Sequence, residues 1–183
     1  MNRKEAMKTI KQRLQEGKSK KEIFGELSSK VKFKSDLLQY IAMVPSHEDR
    51  LKYNKINLIL FSLLVFISVV KFITAFILLS RISIYMLPIA LIAPFFSIYF
   101  AIMVWNYWGN MYRILGMLGI SSILISISNF KSFSSYSSME IILEISLFYL
   151  PAFLIVFLSY YIGNKVFPYY SFWGQLKEEK LNL

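Results

Sequence analysis

Apolar residues run almost unbroken through four stretches of this chain, 56–80, 82–108, 111–128 and 140–163, and alternate with polar residues elsewhere. A hydrocarbon core about 30 Å thick takes roughly 20 helical residues at about 1.5 Å each, so the pattern predicts four transmembrane helices. The third stretch is diluted by Gly116, Gly119, Ser121, Ser122, Ser126 and Ser128. Small residues let helix backbones approach closely inside a bilayer, which makes Gly116, Gly119, Ser122 and Ser126 the expected packing stripe of a bundle.

Before Ile56 the apolar positions thin to helical spacing. Met7, Ile10 and Leu14 predict an amphipathic helix that Gly17 ends by taking a left-handed conformation. Ser19-Lys20-Lys21-Glu22 has the form of a capping box, in which serine and glutamate each satisfy a free amide of the helix start. Ile23, Phe24, Leu27 and Val31 then form one apolar face. Leu37, Leu38, Ile41 and Ala42 predict a third helix, capped by Ser35 and stopped before Pro45. Ser46, with Glu48 and Asp49 behind it, restarts a helix that can continue through Tyr53 into the first span.

The expected fold class is therefore all-α. It is a polytopic membrane protein with a basic cytoplasmic segment (1–55), a bundle of four transmembrane helices (56–163) and an interfacial tail (164–183). So short a cytoplasmic segment, without disulfide or metal, buries little apolar area against its ordering entropy. Ile23, Phe24, Leu27, Leu38 and Ile41 are accordingly expected to dock on something else: the membrane surface, loop 106–112, the tail, a second copy or a protein partner.

Charge sets the orientation. Fourteen Lys or Arg residues precede Ile56, Arg113 lies near the second loop, and Lys165, Lys177 and Lys180 follow the fourth stretch, while Arg81 and Lys131 flank the spans on the other side. The positive-inside rule places both termini in the cytoplasm. Tyr53, Trp105, Tyr107, Trp108, Tyr112, Tyr160, Tyr161, Tyr169, Tyr170 and Trp173 fall at that same interface, as an aromatic belt would. The net charge of +10 then faces anionic lipid headgroups and needs no nucleic acid to explain it. The charged start lacks the short apolar core of a signal peptide, so the first span is expected to direct insertion. Frequent Ile, Lys, Phe, Ser and Asn suit an AT-rich bacterial genome, hence a bacterial inner membrane.

Few residues suggest chemistry. The chain has no cysteine and one histidine, His47, so thiolate sites are excluded and zinc lacks ligands. No metalloprotease, phosphate-loop, nucleophile-elbow or dinucleotide motif is present, and no serine has a histidine base nearby. Neither cofactor nor catalytic residue is expected. Lys71 and Glu144 are the two charges well inside the spans, and their helical rise puts them at similar depth, so they are expected to form an intramembrane ion pair. Pro94 and Pro151 fall mid-span and would free the carbonyls of Ala90 and Leu147. Each is followed by an aromatic run closed by Gly-Asn, a hint of two related hairpins of the kind that frame transport sites.

These features support a non-enzymatic protein that interacts, anchors or assembles through its N-terminal helices with a protein partner or another copy. A small transporter or channel component with a polar site around Lys71 and Glu144 is the alternative. A membrane-anchored DNA-binding protein is a third, since Gly17 to Ile23 could open a helix-turn-helix. Nucleic acid is disfavoured because the third helix carries Asp36 and Gln39 and no basic residue beyond Lys34. The ion pair separates the first two readings: sealed between helices it is a strut, and lining a cavity it is a site.

Overall fold

The computed structural model describes residues 2–31, 33–82, 85, 88, 92, 94–128 and 137–177. Among them the architecture is all-helical, with one isolated bridge between Tyr170 and Leu176. Helices α1 (Arg3–Gln15), α2 (Lys20–Ser28) and α3 (Lys34–Met43) form a small bundle. Next come α4 (His47–Ile82), α5 (Phe95–Trp105), α6 (Gly109–Ser128), α7 (Ser138–Glu144), a π turn (Ile145–Tyr149) and α8 (Leu150–Val166).

The local signals at the N-terminal helices act as expected, with one exception. Gly17, at φ 82°, ends α1 while the amides of Gly17 and Lys18 bond the carbonyls of Leu14 and Arg13, closing a Schellman motif. Ser19 and Glu22 complete their capping box at 3.3 and 2.9 Å. Ser46 accepts from the amide of Asp49 at 3.1 Å, and α4 runs without a break from His47 into the apolar stretch. The exception is α3. It begins at Lys34 with Phe33 as its uncapped N-cap, so Ser35 lies inside the helix rather than capping it.

The apolar faces of the N-terminal helices close on one another. Ile23, Leu27 and Ile41, expected to await a partner, are buried with Ile10, Leu14, Leu37 and Val44 in a core of their own. Phe24 pads the edge of that core, and Leu38, like Phe24, is half-buried. Three short helices meeting at once achieve what no single amphipathic face could, since each supplies the apolar cover for the other two. Arg13 and Lys18 both reach Glu26 and tie α1 and its following turn to α2.

Two segments, α4 and the continuous stretch Ser138–Val166, are long and apolar enough to cross a membrane, by length and composition. The stretches predicted as second and third spans appear as the shorter apolar helix α5 and as α6. Most of residues 83–93, including Ala90, lie outside the described residues. Pro94 is the N-cap residue of α5 rather than a mid-helix break. Pro151 stands in the first turn of α8, immediately after the π turn, where the amide of Leu150 bonds the carbonyl of Ile145 five residues back. Pro94 thus opens a described helix, where its missing amide costs little, whereas Pro151 follows a π turn inside one continuous helical stretch.

A polar lock fastens the basic end of the bundle. Buried Asn57 donates to the Val104 carbonyl at 3.0 Å and accepts from the Tyr112 hydroxyl at 2.6 Å, joining α4, α5 and α6. Arg113, also buried, donates to Asn164 at 2.7 Å and lies over the Tyr160 ring. The tail folds back so that Phe167 stacks on Tyr112 at 5.4 Å. The expected aromatic belt consequently divides. Tyr107, Tyr112 and Tyr170 are core residues at 3%, 0% and 5% exposure, whereas Trp105 and Trp173 remain outside.

Lys20 joins the two halves. Its ammonium sits over the Tyr169 ring, 4.6 Å from the centroid. Burial lowers its pKa from 10.5 to about 8, against the pull of Asp49. Below pH 8 the lysine is charged whether docked or free, so the cost of burying it is constant. Between pH 8 and 10.5 only the free form keeps its proton, and the contact strengthens as pH rises. Tyr169, raised above 10 by burial and then by Asp49, opposes this only above pH 10. Hydrogen exchange in α2 and the tail should slow from pH 8 to 10 after correction for intrinsic rates, and Lys20→Met should flatten that profile.

Candidate functional site

The apolar helices line a cavity of about 360 Å³. Its walls come from α4, α5, α6, the π turn and α8, because the predicted small-residue face of α6 draws α8 close. A Cβ at Gly116 would stand 2.7 Å from the Tyr160 ring, and one at Gly119 would collide with Val156. Gly119 and Ser122 then form part of the wall. Ser126 belongs to α6, but its side chain lies outside the described residues.

The floor is apolar and shut. Leu64, Phe100, Leu115 and Ile155, at 3–8% exposure, close the cavity toward the basic end, and the Asn57–Tyr112 lock lies one to two turns beyond them. Polar groups collect nearer the other end: Lys71, Ser97, Ser122, Glu144 and Tyr149. The Lys71 ammonium donates to the Ser97 hydroxyl at 3.4 Å. Phe148 and Tyr149 reach the wall from the π turn, a helical irregularity that often accompanies functional sites.

Lys71 and Glu144 share this cavity but do not pair. The ion pairs among the described residues are Arg13–Glu16, Arg13–Glu26 and Lys18–Glu26, all in the N-terminal bundle. The expected strut is thus replaced by two opposite charges facing one space. The cause is the line of approach. Lys71 comes from the α4 side beside α5 and is taken by Ser97, whereas Glu144 precedes the π turn on another wall. Helical rise predicted their common depth and carried no information about their direction around the bundle.

No protein family, curated protein or solved structure matches this chain.

The remaining candidates divide by burial. Of the docking residues, Ile23, Leu27 and Ile41 are sealed, and only the outer edges of Phe24 and Leu38 remain accessible. Pro94 and Pro151 border the cavity through the residues that follow them, Phe96 and Ser97 in one helix, Ala152 and Ile155 in the other. Among the described residues no three His, Cys, Asp or Glu side chains cluster as metal ligands would. His47 instead lines a small recess with Lys11, Arg50 and Tyr107.

Sequence reasoning missed Arg113, Asn57 and Ser97 as participants. Ser97 was a single polar residue in an apolar run and Asn57 a polar residue at the edge of one, and that was the available signal: a polar group at such a position must find a partner or a cavity. Chemically, the arrangement offers an apolar pocket with a hydrogen-bonded cation, an anion and hydroxyl groups. It can hold and orient a small molecule.

Proposed function

We propose that this chain is a non-enzymatic, multi-pass protein of a bacterial cytoplasmic membrane that binds a small solute within its helical bundle, as a small transporter or a component of one does. The observation that carries this reading is the shared cavity of Lys71 and Glu144, which holds both charges without letting them neutralise each other. Maintaining two unpaired charges among apolar walls costs stability, and intramembrane ionisable groups commonly mark a solute path.

The membrane setting is supported by where the apolar residues point. In the most apolar windows of α4 and Ser138–Val166 only 17% and 11% of residues are buried. A core helix of equal apolarity in a water-soluble protein would be mostly covered; here the uncovered faces suit lipid. With α5 and α6 as the inner pair, the reading is a four-span bundle, with the basic N-terminal helices and the tail on the cytoplasmic side.

The absence of cysteine makes the test clean. Ser122→Cys, on the cavity wall, should react with a water-soluble, membrane-impermeant thiol reagent, while Ile125→Cys, on an exposed face of α6, should be shielded by lipid. Equal protection of the two would mean a dry, sealed bundle and would remove the solute-binding reading.

An anchoring role for the cytoplasmic helices is the second reading. It is favoured by the independent core of α1–α3, which makes that segment a folded module able to present a fixed surface rather than an unstructured arm. Association with a partner or another copy would use the rims of Phe24 and Leu38.

A further inference from the structure

We propose that the bundle cavity takes a small zwitterion with an apolar body, an apolar amino acid or a molecule of that design. This rests on the solute-binding reading above and assigns its ligand class.

Charge complementarity selects the class. Lys71 and Glu144 line the same space, neither has an ion-pair partner among the described residues, and their surroundings are dominated by Phe and aliphatic side chains. An anionic ligand would satisfy Lys71 and be repelled by Glu144, and a cation would do the reverse. An uncharged ligand would displace water from both and compensate neither. A single molecule with separate positive and negative groups meets both requirements, and the low local dielectric strengthens each attraction.

Shape and size agree. The polar groups gather at the end of the cavity away from the basic cytoplasmic side, while Leu64, Phe100, Leu115 and Ile155 form a closed apolar floor. The charged head of a ligand therefore lies at Lys71 and Glu144, and its body points inward. The volume of 360 Å³ is at the small end of ligand pockets and corresponds to about twelve water volumes of ~30 Å³. Ser97 holds the lysine in place and gives the anionic group a second donor; the Tyr149 hydroxyl borders the same space.

Binding by the full chain in nanodiscs of anionic phosphatidylglycerol tests the assignment with four probes that share one ring. Phenylalanine carries both charges, 3-phenylpropionate the negative one, phenethylamine the positive one, and toluene neither. Phenylalanine should bind at least tenfold tighter than any of the others. Lys71→Met should reverse the preference toward phenethylamine, and Glu144→Gln toward 3-phenylpropionate, inversions that general loss of fold cannot produce. Repeating the measurement in phosphatidylethanolamine nanodiscs distinguishes the source: competition identifies a lipid headgroup as the zwitterion, and unchanged affinity identifies a free solute. Toluene binding as tightly as phenylalanine, or thiol-reagent access at Ser122→Cys without phenylalanine binding, overturns the zwitterion and leaves the solute-binding reading intact. No probe binding together with no access at Ser122→Cys overturns both.

Discussion

Ile23→Asp will unfold the N-terminal helices and leave the apolar bundle folded. Ile23 has no exposed surface and sits among Ile10, Leu14, Leu27, Leu37, Ile41 and Val44. An aspartate there must either bury an unpaired carboxylate or take up a proton, at a cost of several kcal/mol on top of the lost apolar burial. A core of this size supplies about 3–5 kcal/mol at most, so the substitution exceeds what the bundle can absorb. Hydrogen exchange should show the amides of α1, α2 and α3 losing protection, with α4 beyond Ile56 and α6 retaining theirs. Phe24→Asp, at the half-buried edge, should preserve protection in α1–α3. If both variants keep the bundle protected, Ile23 is a surface residue and the core described here is wrong. If Ile23→Asp also melts α6 and α8, the two clusters form one cooperative unit.

Gly119→Ala will loosen the contact between α6 and α8. The added Cβ would press against a methyl of Val156, closer than van der Waals contact allows. Valine in a helix is held almost entirely in one rotamer, so it cannot swing aside and the helices must separate. Overpacking of this kind costs about 1–3 kcal/mol, or roughly 3–10 °C in Tm for a chain of this length. Val156→Ala in the same protein removes the obstructing methyls and should restore most of the loss. Failure of that rescue would mean that the close approach at Gly119 is not what holds the pair. The same contact sets one wall of the cavity, so Gly119→Ala should also weaken occupancy by any bound solute.

Local signals were legible because they involve groups a few residues apart. Gly17, the Ser19–Glu22 box and the Ser46 cap each satisfy backbone groups within one turn, and all three operate as their spacing implies. Ser35 failed because a serine near a helix start competes with other entry points, and here the N-cap falls two residues earlier, at Phe33. The Ser137–Glu140 box at the start of α7 was equally readable but was passed over in favour of the apolar run behind it. Pro151 lies inside the continuous helical stretch Ser138–Val166, where the π turn before it accommodates the amide that a proline lacks.

Long-range partners were a different matter. The apolar faces of α1–α3 announced that cover was needed, but a periodic face states its width and never its neighbour. Lys71 and Glu144 announced that charge lay deep in the apolar stretches and matched in depth. Whether they met depended on the rotation of α4 and α7 about their axes, on Ser97 arriving from α5 and on the widened turn between Glu144 and Leu150.

By itself the sequence determined the all-helical class, the helix ends at Gly17, Ser19 and Ser46 and the two most persuasive apolar helices, all consequences of hydrophobic period and of hydrogen bonds made within a turn. Tertiary structure alone decided that the N-terminal helices cover one another and that Lys71 and Glu144 face a cavity instead of each other. The physical reason is direction. Depth along a helix follows from residue count, but the azimuth of a side chain acquires meaning only when a neighbouring helix is packed against it.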